Sequence, residues 1–107
     1  MLYDTATGSI NYLDAKSVGI GMLDDIPFIE NTILHLENPS KIICYTDGLS
    51  EIKDEAGIDI GIKPIEKHIA NDETVDKNIA ALIEELGIPD DSPNLFDDVS
   101  IIGANLY

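Results

Sequence analysis

The chain has 107 residues, a length that favours a single domain with a modest hydrophobic core. Apolar residues make up 44% of it, as in folded rather than disordered chains, and the formal net charge is −15. This acidity disfavours nucleic acid and anionic membranes as partners, since both require a basic surface, and it supplies carboxylates that bind hard cations such as Mg²⁺, Mn²⁺ and Ca²⁺.

The sequence predicts a cytoplasmic location without membrane insertion. No apolar run approaches the length of a membrane span, and residues 1–9 lack the basic and apolar segments of a secretory signal. Cys44 is the single cysteine, which excludes an internal disulfide. Its place within an apolar run predicts a buried small residue rather than a nucleophile.

The first half of the chain predicts antiparallel strands. Residues 2–4 and 9–13 have strand character and are separated by turn residues, which indicates a β-hairpin. The second half of the segment 28–36 predicts a further strand, and residues 41–46 predict the next one after a turn that contains proline. We expect these last two strands to form a second hairpin.

The middle of the chain predicts a polar loop followed by a short helix. Residues 50–61 are polar and are punctuated by Gly57 and Gly61. Residues 62–70 fit one or two helical turns, with a proline near the start, where a helix tolerates it.

Residues 74–86 predict an amphipathic helix. Either Thr74 or Asp72 suits the start of this helix, and Gly87 suits its end. Apolar side chains recur at helical spacing on one face: Val75, Ile79, Leu82, Ile83 and Leu86.

Residues 98–107 predict a final strand after a loop bounded by prolines. The order of strands, helices and a last strand predicts an α+β fold with an antiparallel sheet, formed by residues 1–107 as a single domain.

Two acidic residues lie at opposite ends of predicted strands. Asp47 follows the apolar segment KIICYT, and Asp97 precedes the segment DVSII. Adjacent antiparallel strands can bring such an end and such a beginning to one rim of a sheet, where two carboxylates repel each other unless a cation lies between them. Gly48 would let the backbone turn away and let a ligand approach. The alternative is that Asp47 and Gly48 form an ordinary turn and that Asp97 is a loop charge.

Five segments in order resemble the bacterial metal-dependent serine/threonine phosphatases of the SpoIIE/RsbU-like group, which belong to the type 2C, or PPM, superfamily. Residues 45–51, YTDGLSE, resemble the family segment that contains Tyr-Thr-Asp-Gly. The other four segments span nearly the whole chain: residues 2–13, 19–23 (GIGML), 57–61 (GIDIG) and 97–102 (DDVSII).

The resemblance implies a fold, an activity and a metal site. The family fold is an α/β sandwich of antiparallel sheets flanked by helices. Its activity is hydrolysis of phosphoserine or phosphothreonine by a water that a two-metal centre activates. Carried over by motif, Asp47 and Asp97 are implied ligands of Mn²⁺ or Mg²⁺, with the backbone at Gly48 close to the metal. The implied substrate is a phosphorylated regulatory protein, such as an anti-anti-sigma-type protein.

The chain also departs from the family pattern. The upstream acidic ligand and the Asp-Gly segment of the family have no counterpart here, which suggests the C-terminal portion of a phosphatase domain without its upstream metal-binding half. Lys16 and Ser17 lead almost directly to Gly19, where the family has a further stretch, so either a deletion or an omitted piece is expected. We therefore expect weak or no activity from these residues alone.

A second function stays open, in which the chain is a non-catalytic, phosphatase-like module that binds a partner in a sigma-factor partner-switching or other signalling pathway. Unpaired strand edges in a partial sheet also predict a homo-oligomer. His35 and His68 lack acidic or cysteine partners at the spacing of metal ligands and are interpreted as structural or exposed. A haloacid-dehalogenase-type site is excluded because Tyr45 occupies the position of its nucleophilic aspartate.

Overall fold

The computed structural model of the chain describes residues 1–13, 24–25, 31–88 and 98–107. These residues confirm the predicted α+β class, with an antiparallel sheet and helices that follow it. The elements in chain order are β1 (Leu2–Asp4), β2 (Ile10–Asn11), β3 (Ser40–Tyr45), α1 (Asp47–Ser50), α2 (Lys63–Ile69), α3 (Val75–Leu86) and β4 (Ile101–Leu106).

Within the described part of the chain, the strands form one four-stranded antiparallel sheet in the order β2-β1-β3-β4. The predicted hairpin of β1 and β2 is confirmed. Its turn passes through Gly8, whose φ of 72° lies in the left-handed region that glycine adopts without steric cost. The Asp4 N–H closes the turn by donating to the Ser9 carbonyl at 2.9 Å.

The predicted strand before β3 is wrong for the residues that the structure describes. Residues 31–36 have no strand pairing, and β3 pairs instead with β1 on one side and β4 on the other. Ile33 and Leu34 are 81% and 49% exposed, so alternation in this segment buries neither face. A strand without a buried face has little to fix its register, which explains the failed prediction. Residues 28–30 lie outside the described residues.

The sheet has a covered face and an open face. On β3, Lys41 and Ile43 point toward the helices and are buried, whereas Cys44 is exposed on the other face. The prediction that Cys44 is buried is therefore wrong, because the two-residue period of a strand places it opposite its buried neighbours. We call the side that carries Cys44, Ile102 and Ala104 the open face; Ile102 is 71% exposed there.

Helix α3 confirms the predicted amphipathic helix and covers β4. Thr74 is its N-cap in an extended conformation, and Gly87 ends it with left-handed angles (φ 58°, ψ 46°). The close approach to the sheet depends on Gly103, because a Cβ there would meet Val75 Cγ2 at 2.6 Å and Ile79 Cδ1 at 3.0 Å. The absent side chain of Gly103 thus lets α3 lie against the strand.

The loop predicted over residues 50–61 folds back on itself as a narrow hairpin. Lys53 and Asp59 form an isolated antiparallel bridge, and Gly57 and Gly61 have positive φ angles of 76° and 67°. The Gly61 N–H donates to the Ser50 carbonyl at 2.9 Å, which closes the loop at its base. The two glycines therefore act as the turn residues that the sequence indicated.

The hydrophobic core lies between the covered face of the sheet and the helices. None of the described helices is long and apolar enough to cross a membrane. The buried members of the core are Met1, Tyr3, Ile43, Leu49, Ile52, Ile65, Ile69, Val75 and Leu82.

Candidate functional site

The end of β3 and the beginning of β4 are tied together by hydrogen bonds from one residue, Thr46. Its N–H donates to the Ser100 carbonyl at 3.1 Å. Its hydroxyl accepts from the Ser100 N–H at 3.0 Å and donates to the Asp98 carbonyl at 3.3 Å. The antiparallel register thus holds residues 98–100 against the residue that precedes Asp47, an arrangement that the sequence allowed for the two strand ends.

Asp47 begins α1 rather than ending a strand. β3 stops at Tyr45, and Thr46 is the N-cap of α1 in an extended conformation (φ −88°, ψ 160°). The Asp47 carbonyl accepts from the Glu51 N–H at 2.9 Å and from the Ser50 hydroxyl at 3.2 Å. The residue itself is exposed. A fixed backbone therefore carries a carboxylate that solvent and ligands can reach.

The turn of α1 is held in place by the two residues after Asp47. Gly48 is buried, and the side chain of Leu49 is completely buried in the core. This burial draws the chain back toward the core directly after β3, which explains why a helical turn replaces the predicted strand end. The positive φ angles of the described glycines fall at other positions, so the turn does not use the left-handed region at Gly48. Its approach to a ligand stays a prediction.

The pKa of Tyr45, two residues before Asp47, is affected by this site. Burial raises the pKa of the Tyr45 phenol above its ordinary value, and the negative charge of Asp47 raises it further. Both causes disfavour the phenolate. The carboxylate of Asp47 is therefore close enough to the Tyr45 phenol to affect its titration.

The second predicted metal ligand, Asp97, lies outside the described residues, and so its pairing with Asp47 stays a prediction. Its neighbour Asp98 is exposed, and the Asp98 carbonyl accepts a hydrogen bond from the Thr46 hydroxyl. Over residues 1–13, 24–25, 31–88 and 98–107, no group of three or more histidine, cysteine, aspartate or glutamate residues is arranged to hold a metal ion. The described residues thus supply one accessible carboxylate of the predicted pair.

The two histidines do not contribute to this site. His68 on α2 bonds to the Glu85 carboxylate of α3, and Lys67 bonds to the same carboxylate at 3.0 Å. These contacts hold the pKa of Glu85 below its usual value. His35 is exposed. Both placements agree with the interpretation of the histidines as structural or exposed.

Sequence reasoning missed the contribution of Thr46. Threonine after an apolar strand is unremarkable by itself, yet here its hydroxyl joins two strand ends that lie 54 residues apart in the sequence. No local signal indicated this role, because the Thr46 hydroxyl makes no cap bond to α1 and its partners lie far along the chain.

Comparison with known proteins identifies a family. The family model described as Stage II sporulation protein E (SpoIIE) matches residues 1–107. No curated protein and no solved structure gives a significant match. The family match supports a phosphatase-related domain, and this family is generally metal-dependent.

Proposed function

This chain belongs to the SpoIIE family, and we propose that it is part of a metal-dependent serine/threonine protein phosphatase that acts on a phosphorylated bacterial regulatory protein. The proposal rests on the hydrogen bonds by which Thr46, directly after β3, is joined to residues 98–100. These bonds hold the residue before Asp47 against the segment that begins at Asp98, and Asp47 is exposed. The sequence places Asp97 immediately before that segment.

We propose that Asp47 and Asp97 bind Mn²⁺ or Mg²⁺. Carboxylate oxygens are the donors that these hard cations prefer, and the exposure of Asp47 suits a ligand that arrives from solvent. When bound, such a cation supplies an activated water and neutralises charge on the phosphoryl group. Asp47 begins α1, and the buried side chain of Leu49 anchors that turn in the core.

We further propose that residues 1–107 form the C-terminal part of the phosphatase domain. The open face supports this, because Cys44, Ile102 and Ala104 leave an uncharged, largely apolar strip exposed on a strongly acidic chain. An exposed apolar strip on an acidic chain is a candidate surface for packing against another segment or protein. Further metal ligands would then come from residues upstream of this sequence.

The first test is titration of the chain with Mn²⁺ by calorimetry. We expect saturable binding that is lost in Asp47→Asn and in Asp97→Asn, since each substitution removes one anionic ligand. Asp76→Asn is the matched control, because Asp76 is an exposed aspartate on α3 and the change removes the same charge. Loss of binding in the control as well would show that Mn²⁺ responds to total charge, which contradicts a specific site.

The second test separates the enzyme from its alternative, a non-catalytic module that binds a partner in a signalling pathway. The chain extended by the upstream residues of its own gene is assayed with a phosphoserine peptide and Mn²⁺. The proposal expects release of phosphate that depends on Mn²⁺ and is abolished by Asp47→Asn. An extended, folded chain that releases no phosphate would overturn the enzymatic proposal and favour the binding module.

A further inference from the structure

Lys41 is a buried cation at the end of β3 opposite to Asp47. Only 2% of the residue is exposed, although lysine is rarely buried in proteins. Its ammonium group donates to the Asn78 Oδ1 at 2.7 Å and to the Asn71 carbonyl at 2.8 Å. It also lies 3.1 Å from the Asn71 Oδ1 and 3.1 Å from the Glu73 carbonyl. Four oxygens therefore surround one ammonium nitrogen.

We call these four oxygens the cage, and further hydrogen bonds hold them in place. The Asn71 Oδ1 accepts from the Asn78 side-chain amide at 2.8 Å and from the Glu73 N–H at 3.0 Å. The Asn71 amide donates to the His68 carbonyl at 2.9 Å. Among the described residues, no buried side-chain nitrogen or oxygen lacks a partner. The oxygens around Lys41 therefore form a defined site in which the buried polar side-chain atoms all have hydrogen-bond partners. The site spans the turn between α2 and α3.

All four oxygens come from amides, so no carboxylate bonds to the ammonium group directly. Burial lowers the pKa of Lys41, while the nearby charges of Asp72 and Glu73 raise it. The ring of Tyr3 lies 5.1 Å from the ammonium nitrogen and adds the attraction of an aromatic face for a cation. A set of neutral oxygens with an aromatic face is suited to a compact monovalent cation.

We propose that the Lys41 ammonium is a built-in structural cation that locks the α2–α3 turn to the sheet, and that the same oxygens bind a free ammonium ion once the lysine side chain is removed. The lock joins β3 to residues 71–78, so it fixes the start of α3 relative to the strand that leads to Asp47.

The experiment is thermal unfolding of Lys41→Ala in ammonium chloride and in tetramethylammonium chloride at equal ionic strength. We expect the melting temperature of Lys41→Ala to rise saturably with ammonium and not with the bulkier cation, because a ligand that binds only the folded state stabilises it. The wild-type protein should respond equally to both salts. Adding Asn78→Leu to Lys41→Ala removes one cage oxygen and should abolish the difference. Equal responses of Lys41→Ala to the two salts, or a variant that stays unfolded in ammonium, would overturn the ammonium site.

A measurement on the wild-type protein tests the cage without any substitution. Lys77 lies on α3 with its side chain 66% exposed and is the matched control for amine acetylation. We expect Lys41 to react about 100-fold more slowly than Lys77, since reaction requires local opening of the cage. Equal rates at the two lysines would contradict a locked ammonium group.

Discussion

The charged residues at the two ends of β3 lie in opposite environments, one buried and one exposed to solvent. At one end, Lys41 is enclosed by four oxygens and is 2% exposed. At the other end, Asp47 is exposed at the start of α1, and the contacts that fix it involve its backbone. A buried charge survives only when its hydrogen-bonding capacity is met, which makes Lys41 part of the framework. An exposed carboxylate on a fixed backbone keeps its ligand-binding capacity, which makes Asp47 the candidate for function.

Lys41→Met should have the largest effect on stability. The substitution leaves the cage oxygens without their cation, and we expect a loss of about 3 kcal/mol in the free energy of unfolding. Urea unfolding followed by circular dichroism measures it. Lys77→Met is the control and should leave stability nearly unchanged, because Lys77 forms an exposed ion pair. Similar losses in both variants would show that the four oxygens around Lys41 add no more stability than the surroundings of an exposed lysine.

Gly103→Ala should have the next largest effect, because Gly103 pairs with Ile43 halfway between the two ends of β3. Its new Cβ would lie 2.6 Å from Val75 Cγ2 and push α3 away from the sheet. We expect a cost of about 1–3 kcal/mol from overpacking, measured by urea unfolding. Ala104→Ser, on the exposed side of the same strand, is the control and should be nearly neutral. A neutral Gly103→Ala would mean that α3 does not rest on β4 as described.

Thr46→Val tests whether the hydrogen bonds of the Thr46 hydroxyl support metal binding at Asp47. The valine cannot accept from the Ser100 N–H or donate to the Asp98 carbonyl. We expect a loss of about 1 kcal/mol in the free energy of unfolding, since both bonds are exposed. Mn²⁺ binding should weaken at the same time, because residues 98–100 are released. Undiminished Mn²⁺ affinity would show that the join at Thr46 does not support the metal site.

Asp47→Asn should leave stability almost unchanged. Asp47 is exposed and its backbone contacts remain, so we expect a difference below about 0.5 kcal/mol by urea unfolding. Together with lost Mn²⁺ binding, this outcome would show that Asp47 is needed for metal binding and not for stability. A large destabilisation would instead assign Asp47 a structural role and weaken the comparison with Lys41.

Glu85→Gln should have the smallest effect and a defined pH dependence. The pKa of Glu85 is lowered in the folded protein by His68 and Lys67, so its ionised form stabilises the fold above the ordinary value of 4.5. This contribution is lost as the pH falls below 4.5 through the lowered pKa. The melting temperatures of wild type and Glu85→Gln should therefore differ slightly at pH 7, and the difference should shrink as the pH falls below 4.5. A difference that does not shrink on acidification would contradict the ion pair.

The elements with strong local signals were predicted from the sequence. The spacing of apolar residues and the terminal glycine defined α3, and the turn residues defined the hairpin of β1 and β2. The burial of Asn78 in the predicted amphipathic helix was not foreseen. It faces Lys41, which lies 37 residues earlier, and periodicity carries no information on which polar residue will meet a buried charge.

The candidate site was predicted in part. Antiparallel pairing allowed the two strand ends to meet, and the structure brings residues 98–100 to Thr46, whereas the pairing of Asp47 with Asp97 stays a prediction. The start of α1 at Asp47 was not foreseen, because it depends on burial of Leu49 in the tertiary core. Local propensity cannot report such a long-range contact.

The open face carries its own probe. Cys44 is the single cysteine of the chain and is exposed on that face, so one fluorophore or spin label can be attached there without any prior substitution. The label would report directly on what approaches this side of the sheet. Its emission or mobility would change if another segment or a second molecule came to rest on the strip.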